Sequence, residues 1–311
     1  MRLPGHIAGR IDAGRVVAVA VTYRPDLPVL TELLERLRPQ LGAMVLVDNG
    51  SGDAAVAGLR ALALRFEADL IVNAENLGVG AALNQGIAWA RTCEADAVLL
   101  MDQDSLPATD MLVRLLEAWR VASSSAKVAA VGPRAVDVRN GDSAPFVRVG
   151  FPLNRKIVTR EAVPLACDFL ITSGSLIPIG VLDEVGDMDA SLFIDSVDLE
   201  WCFRARAAGF SCFGAGNAEM GHRIGDGIRR LAFGSSFVHS PVRLYYMMRN
   251  RVLLYRRPTT PGVWIGQDIP RAIFKLLRFS ALVAPRGRNC AAMLAGIRDG
   301  LRGRAGPRDA A

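Results

Sequence analysis

Ala97-Val98-Leu99-Leu100-Met101-Asp102-Gln103-Asp104-Ser105 decides how this chain is read. Five apolar residues, the length of a strand, end in two carboxylates separated by one residue. A run that is apolar throughout belongs to a strand covered on both faces. In open α/β sheets, ligands collect beyond the carboxyl ends of such strands. Two short Asp side chains at that place suit a hard divalent cation, which takes oxygen ligands, or a division of duties between ion and substrate. The same pair also fits a solvated turn or a helix N-cap, so its meaning depends on the neighbouring segments.

Those neighbours alternate regularly. The pattern predicts strands over Arg15–Val21, Ala43–Val47, Leu70–Val72, Ala97–Met101 and Val128–Val131. Helices are predicted between them over Leu27–Leu37, Ala54–Leu64, Ala81–Arg91 and Met111–Ala122. Apolar strands separated by helices imply a parallel sheet, an α/β fold with helices on both faces. The loops at the strand ends are polar: Thr22-Tyr23-Arg24, Asp48-Asn49-Gly50-Ser51, residues 73–80 and Asp102-Gln103-Asp104. Such a set resembles a nucleotide-binding half-fold.

The second half is less regular. Residues 136–166 read as a polar loop or hairpin insertion, Cys167–Ile171 as a strand and Ile179–Val185 as a short helix. Leu192-Phe193-Ile194 reads as a short apolar strand delivering Asp195, as Ala97–Met101 delivers Asp102. A helix follows from Val197 to Ala208, stopped by Gly209. A carboxylate at a strand end beside a cleft suits general-base work, whereas an N-cap role serves Asp195 or Ser196 equally well. Of three histidines, His222 ends a strand-like segment, where a neutral imidazole is suited to complete a metal site begun by two carboxylates.

Composition bounds the rest. The chain has 311 residues, half of them hydrophobic, and a net charge of +6. The five cysteines are odd in number and lack C-x-x-C spacing, which reads as reduced thiols of a cytosolic protein. The first fourteen residues have no apolar core of a signal peptide, and no long uncharged window predicts a membrane span. Residues 241–303 read as basic amphipathic helices, with 1–14 and 304–311 as flexible tails. These helices fit an anionic membrane surface and fit equally a packed cap with solvated arginines. No nucleic-acid recognition motif accompanies the charge. Gly78-x-Gly80-x-x-Leu83 follows the third strand and lacks the final small residue, so a dinucleotide site is not expected. Ser173-Gly174-Ser175 is not a nucleophile elbow. A nucleotidyltransferase is ranked last, because Thr22-Tyr23-Arg24-Pro25-Asp26 is not a glycine-rich basic loop.

In this order and spacing the segments resemble the inverting glycosyltransferases of family 2, from about residue 15 to 303, which implies the GT-A fold: a mostly parallel central sheet flanked by helices, with a C-terminal helical extension. The matching segments are Val19–Tyr23, Val47–Ser51, Asn76-Leu77-Gly78 with Asn84-x-Gly86, Asp102-Gln103-Asp104, Thr172–Ser175, Asp195–Asp198 and His222. The bacterial rhamnosyltransferase branch is the most similar, through Met101–Ser105, Leu192–Asp195 with Val197-Asp198-x-Glu200-Trp201-Cys202, and Gly221–Asp226. The resemblance implies a catalytic domain over 15–240, with a nucleotide-binding half to about 133 and an acceptor half beyond. It implies donor contacts from Thr22, Tyr23, Arg24, Asp48, Asn76, Gly78, Asp102 and Gln103. Asp102, Asp104 and His222 are implied to hold Mg²⁺ or Mn²⁺, with His222 tilting toward Mn²⁺. Asp195 is the implied catalytic base, dTDP-L-rhamnose the implied donor, and a polysaccharide or lipid-linked saccharide the acceptor.

Arg223 or the arginines after 243, notably Arg249, Arg251 and Arg256, are expected to meet phosphates or an anionic lipid-linked acceptor. A cytoplasmic enzyme, peripheral on the inner face of the plasma membrane, is the expected setting. One departure stands out: many relatives carry Glu-Asp where this chain has Asp195-Ser196. It leaves open a catalytically degenerate nucleotide-sugar binder. A UDP-sugar donor is the other alternative.

Overall fold

A computed structural model of the chain describes residues 11–222, 228–231, 234–237 and 239–308. The first half runs β1 (Val16–Thr22), α1 (Leu27–Leu37), β2 (Ala43–Asp48), α2 (Asp53–Arg65), β3 (Asp69–Val72), α3 (Val79–Thr92) and β4 (Ala97–Asp102). It continues through β5 (Leu106–Pro107), α4 (Met111–Ser123) and β6 (Val128–Asp137). The second half adds β7 (Phe146–Arg148), β8 (Arg155–Ile157), β9 (Leu165–Cys167), β10 (Leu176–Pro178), α5 (Ile179–Val185), α6 (Val197–Ala207) and β11 (Ser211–His222). Last come β12 (Ile228–Leu231), β13 (Gly234–Phe237), α7 (Pro241–Tyr255), α8 (Gly262–Ala281) and α9 (Arg286–Leu301).

Local chemistry accounts for the early elements. All seven residues of β1 are buried, as an inner strand covered on both faces requires. Helix α1 starts where the Asp26 side chain accepts from Val29 N–H, has a proline in its first turn, and buries Leu30, Leu33, Leu34 and Leu37 along one stripe. A Cβ on Gly86 would stand 2.2 Å from Val19 Cγ1, so the glycine lets α3 lie directly on β1.

The main sheet has the order β3-β2-β1-β4-β10-β6-β11-β5, with β9 on β11. Strands β3, β2, β1 and β4 are mutually parallel, and β6 is parallel to β11. The central sheet is thus mostly parallel, as expected, with β10 entering antiparallel between β4 and β6. Three residues long and ending in Pro178, β10 is too short to show a period, and it has no counterpart in the strands expected from sequence. Where Cys167–Ile171 reads as a strand, the strand is β9, Leu165–Cys167. The insertion after β6 carries the β7–β8 hairpin.

The C-terminal helices share the core. Trp264 of α8 meets Phe203 of α6 edge-on at 5.4 Å. Leu244, Met248, Phe279, Val283 and Met293 form a second cluster between α7, α8 and α9. Gly296 brings α9 against α7, since a Cβ there would lie 2.3 Å from Tyr245 O. Residues 304–308 are not a loose tail: Gly306 N–H donates to Ser191 O (2.6 Å) and Arg308 N–H to the Tyr246 hydroxyl (2.7 Å). No helix among the described residues is long and apolar enough to cross a membrane.

Candidate active site

The loops beyond β1, β2, β3 and β4 converge at one end of the sheet. Asp48, fully buried at the end of β2, accepts from Thr22 Oγ1 (3.1 Å) and Ser51 N–H (3.0 Å), and also from the Ser51 hydroxyl. Gln103 bridges β4 to β1: Tyr23 N–H donates to its Oε1 (2.7 Å), and its Nε2 donates to Tyr23 O (3.2 Å). Arg24 adopts a positive φ of 49° and donates its N–H to Ser51 Oγ (2.7 Å). Asn49 donates to Asn76 Oδ1 (3.0 Å), which also accepts from Gly78 N–H (2.9 Å). The expected donor residues Thr22, Tyr23, Arg24, Asp48, Asn76, Gly78, Asp102 and Gln103 thus share one rim. Asn49, Asn76 and Gln103 use much of their hydrogen-bonding capacity to hold its loops.

Asp102 and Asp104 sit half-buried at and just beyond the end of β4. Asp102 N–H donates to Ser173 Oγ (3.0 Å), and Ser173 Oγ lies 2.7 Å from Ser105 Oγ. Buried Ser173 therefore braces the turn that presents both carboxylates. Gly174, at φ 80°, leaves no room for a Cβ against Pro133 and lets Gly174 N–H reach Leu100 O (2.7 Å). Two Asp carboxylates at one strand end form an all-oxygen donor set that suits Mg²⁺ or Mn²⁺. Among the described residues, no group of three or more His, Cys, Asp or Glu stands ready to hold a metal. The backbone of His222 pairs with Asp137 at the end of β11. Its side chain, and all of Arg223, lie outside the described residues.

Asp195 is delivered differently from the sequence-based expectation. Leu192-Phe193-Ile194 is not a strand: a 3₁₀ turn over Ala190–Leu192 leads into Phe193 at φ 64°, ψ −64°. Ile194 N–H closes onto Leu192 O (2.8 Å), a γ-turn of the rare positive-φ kind. Asp195 (φ 63°) and Ser196 (φ 67°) follow, and Ser196 is the left-handed N-cap of α6. Non-glycine residues in such conformations cost roughly 1–3 kcal/mol each and persist where surroundings over-determine them.

Those surroundings are specific. Val79 N–H donates to Phe193 O (2.7 Å), and a Cβ on Gly78 would lie 2.6 Å from the same oxygen. The rim loop thus packs backbone against backbone on this turn. From α7, Asn250 Nδ2 lies within hydrogen-bonding distance of the carbonyls of Leu192 (3.0 Å), Ile194 (2.7 Å) and Asp195 (2.8 Å). Arg249 Nη2 also donates to Leu192 O (2.8 Å). The Asp195 carboxylate is gripped by Arg243, with Nη2 to Oδ1 at 3.0 Å and Nε to Oδ2 at 3.1 Å.

Asp198 stands three residues further on, in the first turn of α6. Burial pushes its carboxyl up to about 6, partly countered by the Leu199 N–H it accepts, and the charges of Asp195 and Asp102 push it further. Asp198 thus lies close enough to Asp102 and Asp195 to feel both charges. Glu200 of the same motif is buried between Arg204 and Arg257 and is committed to ion pairs.

Arg243 and Asn250 were not legible as site residues, and Ser173 was read only as part of the Thr172–Ser175 segment, not as the brace of the Asp102 turn. Each acts on a partner 48–71 positions away, and no local motif announces such a pairing. The arginines expected to face lipid or phosphate are also placed differently. Arg249 is buried, Arg251 pairs with buried Asp268 (3.2 Å), and Arg256 caps the end of α9 through Leu301 O (3.0 Å). They are structural because α7 is enclosed by α8, α9 and the turn at 190–196.

Comparison with known proteins agrees with this geometry. The family model described as "Glycosyl transferase family 2" matches residues 18–168. The dTDP-rhamnosyl transferase RfbF of Shigella flexneri is 30% identical over 293 residues, covering 93% of this chain and 96% of that protein. Among solved structures, the mannosyltransferase PcManGT from Pyrobaculum calidifontis, in complex with GDP-Man and Mn²⁺, superposes with a TM-score of 0.57. It is 16% identical and covers 95% of this chain and 88% of its own. Residues 1–349 of S. aureus TarS, in complex with UDP-GlcNAc, give 0.56 at 16% identity over 93% and 81%. At that identity the two structures speak for the fold, a GT-A-like mixed sheet flanked by helices with a helical C-terminus. With the rim, the Asp-x-Asp turn and a relative matched over nearly its whole length, the chain belongs to glycosyl transferase family 2 and is a glycosyltransferase.

Proposed function

We propose that this enzyme transfers L-rhamnose from dTDP-L-rhamnose, with inversion, to a hydroxyl of a polysaccharide or lipid-linked saccharide in cell-envelope polysaccharide synthesis. The observation that carries the mechanism is the backbone contact of the nucleotide rim with the strained 193–196 turn, Val79 N–H to Phe193 O at 2.7 Å, which holds the turn that carries Asp195 against the rim. The donor assignment is supported by the similarity to the Shigella rhamnosyl transferase across nearly the whole of both chains.

In this reading Asp48, fixed by Thr22 and Ser51, meets the nucleoside, and the Tyr23–Gln103 bridge sets the width of the slot. Asp102 and Asp104 would hold a divalent cation, whose chemistry there would be to neutralise charge on the leaving diphosphate. Asp195 accepts the proton of the attacking acceptor hydroxyl, with Arg243, which donates to both carboxylate oxygens, fixing the orientation of the carboxylate. General-base assistance of this kind contributes ~100–10,000-fold. The reaction is a single displacement: the acceptor oxygen bonds to the anomeric carbon as the diphosphate oxygen leaves from the opposite face.

The test is thermal shift against nucleotide sugars with Mg²⁺, Mn²⁺ and EDTA, joined to turnover of Asp195→Asn. The expected result is metal-dependent stabilisation by dTDP-rhamnose above UDP- and GDP-sugars, and retained donor binding with turnover lost in the variant. Preference for a UDP-sugar would replace the donor and keep the mechanism. Donor binding without turnover in the wild type would make the chain a nucleotide-sugar binder.

A further inference from the structure

Helix α8 presents an apolar face outward. Its inner side carries Trp264, Asp268 and Phe279, all buried. The helical period puts Pro270, Ile273, Phe274 and Leu277 on the opposite side, where a helix on a water-facing surface carries polar residues. Ile273, Phe274 and Leu277 are 54%, 65% and 63% exposed. Along the border of this stripe runs Arg271, which donates to Gln267 Oε1 (3.1 Å). The Gln267 amide in turn donates to the carbonyls of Gly150 and Pro152 (3.3 Å to the latter). That contact ties the tip of the β7–β8 hairpin to the flank of the helix. The tip carries Phe151 and Leu153, 88% and 76% exposed, which with Leu64 are the three most exposed large hydrophobic residues among those described. Two elements more than a hundred residues apart thus bring their uncovered apolar side chains to one border.

Charge selects the occupant. Residues 241–308 contain fourteen Lys and Arg against two acids, Asp268 and Asp299. Both acids are buried and paired, Asp268 with Arg251 and the Tyr255 hydroxyl, Asp299 with Arg298 and the Tyr245 hydroxyl. The helical cap therefore shows water a positive surface without described exposed acids, and Arg271, Arg286 and Arg288 are exposed on α8 and the start of α9. A second copy would bring the same charge to the contact. A bilayer interface rich in anionic headgroups accepts both features: acyl chains take the apolar stripe, and headgroups take the arginines.

We propose that the outer face of α8, together with the 150–153 hairpin tip, is a docking surface for an anionic lipid bilayer. It is separate from the arginines of α7, which the fold consumes. The proposal does not rest on the donor or the catalytic base, because lipid binding is read without either.

The test is flotation of the purified full chain with vesicles of phosphatidylcholine alone and of phosphatidylcholine and phosphatidylglycerol in equal parts. The wild type is expected to float with the anionic vesicles, less so as salt is raised, and not with the neutral ones. Phe274→Glu/Leu277→Glu and, independently, Phe151→Ser/Leu153→Ser are each expected to weaken that binding at least about tenfold. Both should leave the nucleotide-sugar thermal shift unchanged. A wild type that ignores anionic vesicles, or a pair of folded variants that bind them as well as it does, overturns the proposal. So does a lipid-free dimer that Phe274→Glu/Leu277→Glu dissociates, which would assign the face to a second copy.

Discussion

Burial and two neighbouring carboxylates push Asp198 up to about 6, so at neutral pH the folded protein holds a charge it disfavours. The folded state prefers the protonated form. The resulting stabilisation is complete below the ordinary carboxylate range near ~4 and is lost as pH rises through about 6. Asp198→Asn removes the charge and keeps an Oδ1 acceptor for Leu199 N–H. It is expected to raise Tm at neutral pH, by on the order of 2 kcal/mol in stability, with the gain disappearing in acid. Thermal melts of both proteins across pH check this. Parallel melting curves at every pH would show that the acidic cleft exerts no such strain.

The element that matters most is neither a strand nor a long helix but the turn from Ala190 to Ser196. Its conformation is held from outside, by the Gly78–Val79 backbone beneath it and by Asn250 and Arg249 of α7 above it. Asn250→Leu preserves size and removes the donor, leaving the carbonyls of Ile194 and Asp195 without it. Stability should fall by about 2 kcal/mol, the cost of unsatisfied buried acceptors. Because Asp195 follows this turn, kcat should fall at least tenfold while donor affinity changes little. Steady-state kinetics with a donor-binding isotherm separates the two effects, and an unchanged kcat would mean that the turn keeps its shape without α7.

On the scale of the molecule, the C-terminal helices are part of the active site's scaffold. They supply Arg243, Arg249 and Asn250 to the 190–196 segment and Trp264 to the central core. Among the described residues, none of the contacts that shape the nucleotide rim comes from these helices; those that join its loops lie within the first half: Thr22 with Asp48, Tyr23 with Gln103, Asn49 with Asn76. A chain ending at Ser240 is therefore expected to lose transfer completely and to melt at a lower temperature. Any folded fraction should still show a nucleotide-sugar shift. Turnover by the shortened chain would contradict the dependence of Asp195 on α7.

The strands and helices of the first 130 residues were legible because their signals are local. An unbroken apolar run marks β1 and β4, a stripe at helical spacing marks α1, and Asp26 marks its start. Asp48 and the Asp102/Asp104 pair could be named for the same reason, since a sheet of this kind collects its ligands at the ends of such strands. Only the tertiary structure decided that Leu192-Phe193-Ile194 is a strained turn and that β10 slips antiparallel into the sheet. It also decided that Arg249 is buried while Phe274 is not. Hydrophobic spacing says which side chains leave water together, but it does not say against which distant segment they pack. Where a carbonyl, a guanidinium and a turn meet across fifty residues of chain, the partners are chosen by packing.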